Sequence, residues 1–511
     1  IKNKGKDKDK NKEKAYEFIP TEMLTTYGCA DVDATFRIGV LQRRRAEPWM
    51  NKLYDHIARP LSIVTRHIER HGVRINIEEI NELEAKYQKK IDKKRKTLSN
   101  YVQVEDFNPN SNPQMQNLLF ETLKLFTPFK TKSGKPSTDA KSFELIEKTQ
   151  GKKSKPVGNG TKVVIKTLLK KVVELRTMQK MKSTYLTGMR LLADENSRVH
   201  TSYMTTGTVT SRSASRNPNL QNIPNDPIFR SLFIAGYGRF LIPADYSQIE
   251  ARIMPYIAGE IPFIKKFAEE GFDVHTYNSA LYRDKDIADV TKEERKQDKG
   301  ITFGVNYGRS YKSIANEYDM TLESVKRKVE TYYRKNPMID SWKKNRVKES
   351  RNELPMLCKN RTDFYVENPL KRRRHFSLYN WIDQPEIKAV SAIRDIIGED
   401  EVSENYRLYS LRGGAERQAV NFPIQSYAAE ILTMATYRVY KRLKKEVLDA
   451  FLVLTVHDCI VLDTHEAHSK QALNVLMQEM QLTQKLRDPK TGETVKLRFP
   501  IDANITPVWE Q

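Results

Sequence analysis

Cysteine is scarce in this chain. The 511 residues hold three, Cys29, Cys358 and Cys459, far apart and in no Cys-x-x-Cys pair or Cys/His cluster. That argues against a disulfide framework and a structural zinc site, and it fits a reducing compartment. Long apolar runs are missing too. No stretch reaches the roughly eighteen residues that a membrane-spanning helix needs. The mixed charges from Lys2 to Lys14 surround no apolar core, so the start does not read as a secretory signal. The first residue is Ile rather than Met, which reads as a fragment or a processed product. No internal repeat is visible. Ser133-Gly134-Lys135-Pro136-Ser137 looks like part of a phosphate-binding loop, but Phe129 stands where that motif needs Gly, and Pro136 would interrupt the helix start.

Acidic residues are outnumbered. Lys and Arg total 88 against 65 Asp and Glu, a net charge of +23. Such an excess suits a polyanionic partner, nucleic acid or an anionic membrane, or marks a merely soluble Lys-rich protein. With 39% hydrophobic and 30% charged residues the composition is that of a soluble globular protein, and its length predicts about two to four domains.

Residues 1–14 read as solvated chain. From Pro60 to about Leu98 apolar residues recur with helical spacing: Leu61, Ile63, Val64 and Ile68, then Ile80, Leu83, Tyr87 and Ile91. Phe107 to Ser111 reads as a turn and helix cap, and helices are expected around Met115–Leu125 and Val163–Leu186. Residues 60–200 thus form one helical, basic region. Short β-like runs around Asn/Pro turns occupy 200–260, helices 261–350, and a charged irregular stretch 376–415. Strand-like runs fill 450–505, with one amphipathic helix over 466–482.

Three constellations carry chemistry. In the first, a short apolar strand, Phe240 to Ala244, runs into Asp245, and a helix follows with Ile249, Ile253, Met254 and Ile257 on one face. The plain reading is that Asp245 caps that helix. In the second, apolar runs 451–456 and 459–462 flank His457-Asp458, the pattern of a hairpin with the pair at its bend. Here the plain reading is a turn Asp. If the two carboxylates converge, they suit a pair of divalent cations, because Mg2+ prefers oxygen ligands and leaves sites for substrate phosphates. In the third, Arg295, Lys299, Phe303 and Tyr307 form one ridge of a helix spanning Glu293–Gly308. Cations followed by rings suit a nucleoside triphosphate; a surface helix with a core-facing aromatic pair is the plain alternative. Gly308 reads as its C-cap.

Together these residues resemble the three polymerase motifs of the family A, DNA polymerase I-like enzymes. Further segments agree in order. Lys182-Ser183-Thr184-Tyr185 resembles a thumb element. Thr210-Ser211-Arg212 with Pro218 to Pro224 resembles the family's TGR…PNLQNIP segment. Asp273 to Thr276 resembles its D-x-H-T, Arg372-Arg373-Arg374 its arginine cluster, and Arg417…Asn421 to Gln425 its R…N-x-P-x-Q stretch. The likeness covers roughly residues 20–511.

The resemblance implies an α+β, right-hand fold: a helical thumb at 60–200, helical fingers at 261–414, and a palm of antiparallel sheet plus helices from 201–260 and 415–511. It implies a template-directed DNA polymerase that adds dNMP to a primer 3′-OH by a two-metal mechanism, in replication or repair. Asp245 and Asp458 become Mg2+ ligands, with Mn2+ able to substitute, and the Tyr246 carbonyl a further oxygen. Arg295, Lys299, His275 and Gln248 meet the incoming dNTP, with cationic charge offsetting that of the transferred phosphate; Lys299 is also a proton donor to the leaving pyrophosphate. Phe303 packs on the nucleotide, Tyr307 guards the template position, and Glu250 is the gate against a ribose 2′-OH. Its plain reading is a surface Glu or the partner of an Arg on its own helix. Arg212, Asn421 and Gln425 read the minor groove, where acceptor positions are common to all base pairs, while Lys182, His457 and the basic stretches grip DNA. The implied partners are primer-template DNA and dNTPs for a monomer, with no membrane and an unidentified processivity factor. The implied setting is the cytoplasm of a bacterial or phage-infected cell, or an organelle.

The departures are specific. Cys459 stands where the family carries Glu, Ser211 where it carries Gly before Arg212, and Lys371 where it carries Gly before the arginine cluster. Residues 375–420 look like a family-variable insertion. Tyr27-Gly28-Cys29-Ala30-Asp31 resembles the third proofreading motif, Y-x-x-x-D, without the first two. Residues 1–55 are therefore expected to be the end of an exonuclease domain that does not proofread. Two rivals remain: a single-subunit RNA polymerase, which Glu250 disfavours, and a DNA-binding protein that lost its chemistry.

Overall fold

The computed structural model describes residues 19–131, 133–158, 160–205, 207–350, 365–376 and 399–509, apart from the side chains of Phe303 and residues 399–412. The expectations for residues 1–14, Cys358 and residues 377–398 of the insertion lie outside these residues. Helix α1, Thr21–Arg45, has no buried residue. The expected helical run from Pro60 is interrupted. Helix α2, Arg59–His71, stops at Gly72, whose φ of 63° is easy only for glycine. A short strand β1, Val73–Ile75, follows, and then α3, Ile77–Val102, whose first turn is capped by the Asn76 side-chain Oδ1 accepting Glu79 N–H at 3.1 Å. Ile91, Leu98 and Val102 of α3 pack with Phe107, Leu119 and Phe143 in a separate core. Helix α4, Ile165–Lys180, also contributes to it, starting later than expected because 161–164 pairs with 154–157 as a hairpin.

Strands β2, Arg198–Val199, and β3, Phe233–Ile234, flank β1 in the order β2-β1-β3 and tie this region to the rest. Next come β4, Arg239–Tyr246, and helices α5, Ile249–Ala258; α6, Val274–Arg283; α7, Lys292–Asn306; α8, Leu322–Lys335; and α9, Pro337–Ser350. The long α10, Glu399–Lys445, corrects the irregular stretch expected at 376–415 for its last seventeen residues, 399–415. The helix continues through Gly413-Gly414 because its buried face from Ala419 to Leu443 offsets the cost of two glycines. Strands β5, Ala450–Val456, and β6, Cys459–His465, then helix α11, Ser469–Met480, and β7, Ile501–Ala503, complete the central sheet region. That sheet has the order β5-β6-β4-β7 and is antiparallel throughout. The largest core joins Ile242, Ile253, Ile301, Val329, Leu432, Leu462 and Leu476, so sheet and helices α5 to α11 pack as one body. Val64 and Ile68 of α2 belong to that core as well. Among the described residues, no helix is long and apolar enough to cross a membrane.

Candidate active site

Asp245 ends the buried part of β4. Leu241, Ile242 and Ala244 are fully buried before it, and Tyr246 after it drives its ring into the core, where the hydroxyl donates to the Met480 carbonyl at 2.6 Å. Asp245 does not cap the following helix. The N-cap of α5 is Gln248, in the left-handed region at φ 56°. Asp458 lies in the two-residue turn between β5 and β6, beside His457 at φ 53°. Gln221 holds this turn: its Oε1 accepts His457 N–H at 3.3 Å and its Nε2 donates to the Thr455 carbonyl at 2.7 Å. The Tyr203 hydroxyl also bonds the Thr455 backbone. Tyr246 N–H donates to the Asp458 carbonyl at 3.3 Å, which ties turn to strand.

The register places Cys459 directly across from Asp245 on one side and Asp502 on the other. Burial pushes the Asp245 carboxyl up to about 7; the neighbouring Asp458 and then Asp502 push the same way, and Arg230 opposes them. Burial also raises Asp458, against the pull of Arg212 and His457. Carboxylates held in each other's field and short of compensating charge fit a divalent cation, whose positive charge relieves both penalties. Among the described residues no group of three or more His, Cys, Asp or Glu side chains is arranged to hold a metal. Cys459 is buried in an apolar cluster with Val456, Val461 and Trp509, and a thiol is a poor ligand for Mg2+.

Helix α7 presents its ridge because its other side is anchored. Asp298, fully buried, accepts from Ser279 Oγ at 2.7 Å, Arg283 Nε at 2.6 Å and Lys328 Nζ at 2.8 Å. Ile301, Thr302 and Val305 are buried on that side. Arg295 and Lys299 therefore face outward, Arg295 half-buried and Lys299 exposed. The Phe303 side chain lies outside the described residues. Lys343 Nζ donates to the Val305 carbonyl at 2.6 Å, and Gly308 ends the helix at φ 71°. Arg295 forks onto Asp273, with Nε to Oδ2 at 2.8 Å and Nη2 to Oδ1 at 3.0 Å. Gln248 Nε2 reaches the same carboxylate at 3.0 Å. His275, buried at the start of α6, is pushed down to about 4 by burial, then by Lys299; Asp273 opposes. That shift favours the neutral ring at pH 7 when no anion is bound.

A pocket beside α7 is lined by Glu250, Ala251, His275, Asn278, Thr302 and Tyr307. Burial pushes Glu250 up to about 6, with Arg212 pulling it down. Its partner is Arg212, from a different segment, and not an Arg of its own helix. Arg252, the Arg on that helix, donates to the Ser247 and Arg498 carbonyls instead. Arg212 also stands 3.8 Å from Asp458 and so links Glu250 to Asp458. Asn421 donates to the Tyr307 carbonyl at 3.3 Å. With Gln425 it lines a groove that includes Thr210, Arg374 and Arg417, whereas Arg212 lines a neighbouring one with Gln221, Thr433 and His457.

The remaining predicted residues are dispersed. Lys182 pairs with Glu84 of α3 at 3.6 Å, in the basic helical region. The arginine cluster divides: Arg372 pairs with the buried Glu430, Arg373 stacks on Trp49 and Tyr365, and Arg374 reaches the groove. Ser211 and Lys371 adopt φ of 63° and 67°, which explains why glycine suits both positions. Asp31 lies on the exposed α1. Sequence reasoning missed Asp273 and Gln221 as organisers, although both fall in segments it singled out.

A family model described as DNA polymerase family A matches residues 77–511. The chain is 30% identical over 435 residues to the thermostable DNA polymerase I of Thermus filiformis, covering 84% of this chain and 46% of that protein. It is 30% identical over 447 residues to the DNA polymerase I of Caldicellulosiruptor bescii, covering 86% and 46%. The chain thus spans about half the length of these relatives. Among solved structures, the POL domain of Pol1 from M. smegmatis, in complex with DNA primer-template and dNTP, superposes with a TM-score of 0.67 at 23% identity, covering 89% of this chain and 70% of that one. The α+β, right-hand fold expected from the sequence is the fold observed.

Proposed function

This chain belongs to DNA polymerase family A, and from that premise we propose that it is a template-directed DNA polymerase, adding dNMP from dNTP to a primer 3′-OH and releasing pyrophosphate, in replication or repair. The observation that carries the reading is that Asp245, at the end of β4, and Asp458, in the β5–β6 turn, are held side by side by the Tyr246 N–H bond to the Asp458 carbonyl, while α7 carries Arg295 and Lys299 on its outward ridge. Residues 60–200 are proposed as thumb, 261–414 as fingers, and 201–260 with 415–511 as palm.

Family A polymerases use divalent metal ions. Asp245, Asp458 and the Tyr246 carbonyl would hold them, and bound Mg2+ lowers the pKa of an attacking hydroxyl and neutralises charge on the leaving group. Arg295 and Lys299 supply fixed positive charge to the triphosphate, which costs no reorganisation as negative charge shifts toward the leaving oxygen. Lys299, exposed on the ridge, has the proton that pyrophosphate needs on leaving. His275, neutral when no anion is bound, contributes a ring nitrogen. Glu250, fixed by Arg212, fills the space beside Tyr307 that a ribose 2′-OH would need. Asn421 and Gln425 face the groove proposed for the primer end. Asp31, on the exposed α1, would need further acidic partners to hold the metal pair that hydrolytic proofreading needs.

The test is extension of a primed DNA template with dNTPs and Mg2+. Extension with dNTPs and little with rNTPs is expected. DNA binding without extension would give the reading of a binding protein without synthesis, and preference for rNTPs that of an RNA polymerase.

A further inference from the structure

Resting on that reading, we propose that Asp273 is the positioning residue of the triphosphate site, a single carboxylate that sets both Arg295 and the helix carrying His275. Its two oxygens accept from Thr276 N–H at 2.8 Å, Thr276 Oγ1 at 2.6 Å, Gln248 Nε2 at 3.0 Å, Arg295 Nε at 2.8 Å and Arg295 Nη2 at 3.0 Å. These donors come from three places: the β4–α5 connection, the first turn of α6, and α7. Asp273 is the N-cap of α6, and His275 follows in that helix's first turn. Removing both oxygens would therefore disturb both candidate phosphate contacts at once, whereas a side chain that keeps one oxygen for the cap would disturb Arg295 alone.

The geometry also says how Arg295 is used. A guanidinium has donors on three nitrogens, and the fork consumes the Nε edge. The Nη1 end is left for a phosphate oxygen, and the Arg295 side chain is 39% exposed. A long flexible side chain is thereby fixed before substrate arrives, so binding does not have to order it. Burial raises the Asp273 carboxyl, but the hydrogen bonds from Arg295 and Thr276 outweigh it and hold the group well below the usual carboxylate range. The carboxylate thus keeps its charge wherever Arg295 is needed. Gln248 ties the assembly to the strand that carries Asp245, so the phosphate contacts and the carboxylate pair share one frame.

The test compares single-nucleotide addition by wild type, Asp273→Asn, Arg295→Ala and the double variant, with thermal unfolding beside it. Asn keeps an oxygen for the cap but presents an amide donor to the fork. Asp273→Asn should raise the dNTP KM about tenfold, the scale of one hydrogen bond to a charged group. Its kcat should stay within about threefold and its Tm within about 2 °C. The double variant should be no worse than Arg295→Ala alone. An unchanged KM, or independent effects in the double variant, would overturn the proposal. So would a lowered KM, which would mean that Asp273 competes with phosphate for Arg295. Should Asp273→Asn fail to fold, Arg295→Lys removes the fork and leaves α6 capped; an unchanged KM there overturns the proposal equally. No extension by wild type would instead sink the polymerase reading, and this inference with it.

Discussion

At the scale of residues, the site sets function against stability. Asp245 has a folded pKa of about 7 against an ordinary value of 3.8. A raised carboxyl penalises the folded state wherever the unfolded chain is ionised. The penalty is absent below about pH 4, grows between there and pH 7, and is complete above. Asp245→Asn should therefore stabilise the metal-free protein by about 1–3 kcal/mol at pH 8 and by almost nothing at pH 4. Denaturant unfolding of both proteins at the two pH values checks this; an equal difference at both would contradict it. The carboxylates were legible in the sequence only jointly, through the order of the motifs between them. Asp273 was not, because a D-x-H-T segment shows a cap and a histidine but not that Arg295, from another helix, lies on the same carboxylate. Glu250 shows the same limit: an Arg on its own helix is the local candidate, while the observed Arg212 is 38 positions away.

Among elements, α7 depends on a buried charge. Asp298 balances Arg283 and Lys328 and accepts from Ser279, with its own side chain fully enclosed. Removing one partner of such a network leaves buried cations without their anion. Asp298→Ala should cost about 3–5 kcal/mol of unfolding free energy and weaken dNTP binding, because the ridge loses its rigid back. A loss under ~1 kcal/mol would mean that the network is not what holds the helix. The helix itself was readable to within two residues, as was the hairpin around His457-Asp458, because long periodic runs and a polar bend signal themselves. Short elements did not. Strand β1 has three residues and exists through pairing with β2 and β3, from positions far along the chain. The start of α10 was read as part of a charged, irregular stretch, and the helix there continues one anchored by its buried face from Ala419 to Leu443.

Across the whole molecule, net charge is the property that composition fixes most directly. An excess of +23 serves DNA binding if the cations remain available, and not all do: Lys94 pairs with Glu174 at 2.7 Å and Lys182 with Glu84 at 3.6 Å. The account predicts steep but not maximal salt dependence. Affinity for primer-template DNA should fall by about tenfold or more between 50 and 200 mM salt, as counterions compete for several phosphate contacts. A flat response in a binding titration would contradict it.

The central claim is that Asp245 and Asp458 together support metal-dependent DNA synthesis, without help from the residue at 459. Single-turnover primer extension with Mg2+ by wild type, Asp245→Ala, Asp458→Ala and Cys459→Ala tests it most directly. Each aspartate variant should lose about a thousandfold in rate, the scale of ~4 kcal/mol of transition-state stabilisation, while Cys459→Ala stays close to wild type. Either aspartate variant extending within about tenfold of wild type would contradict the account.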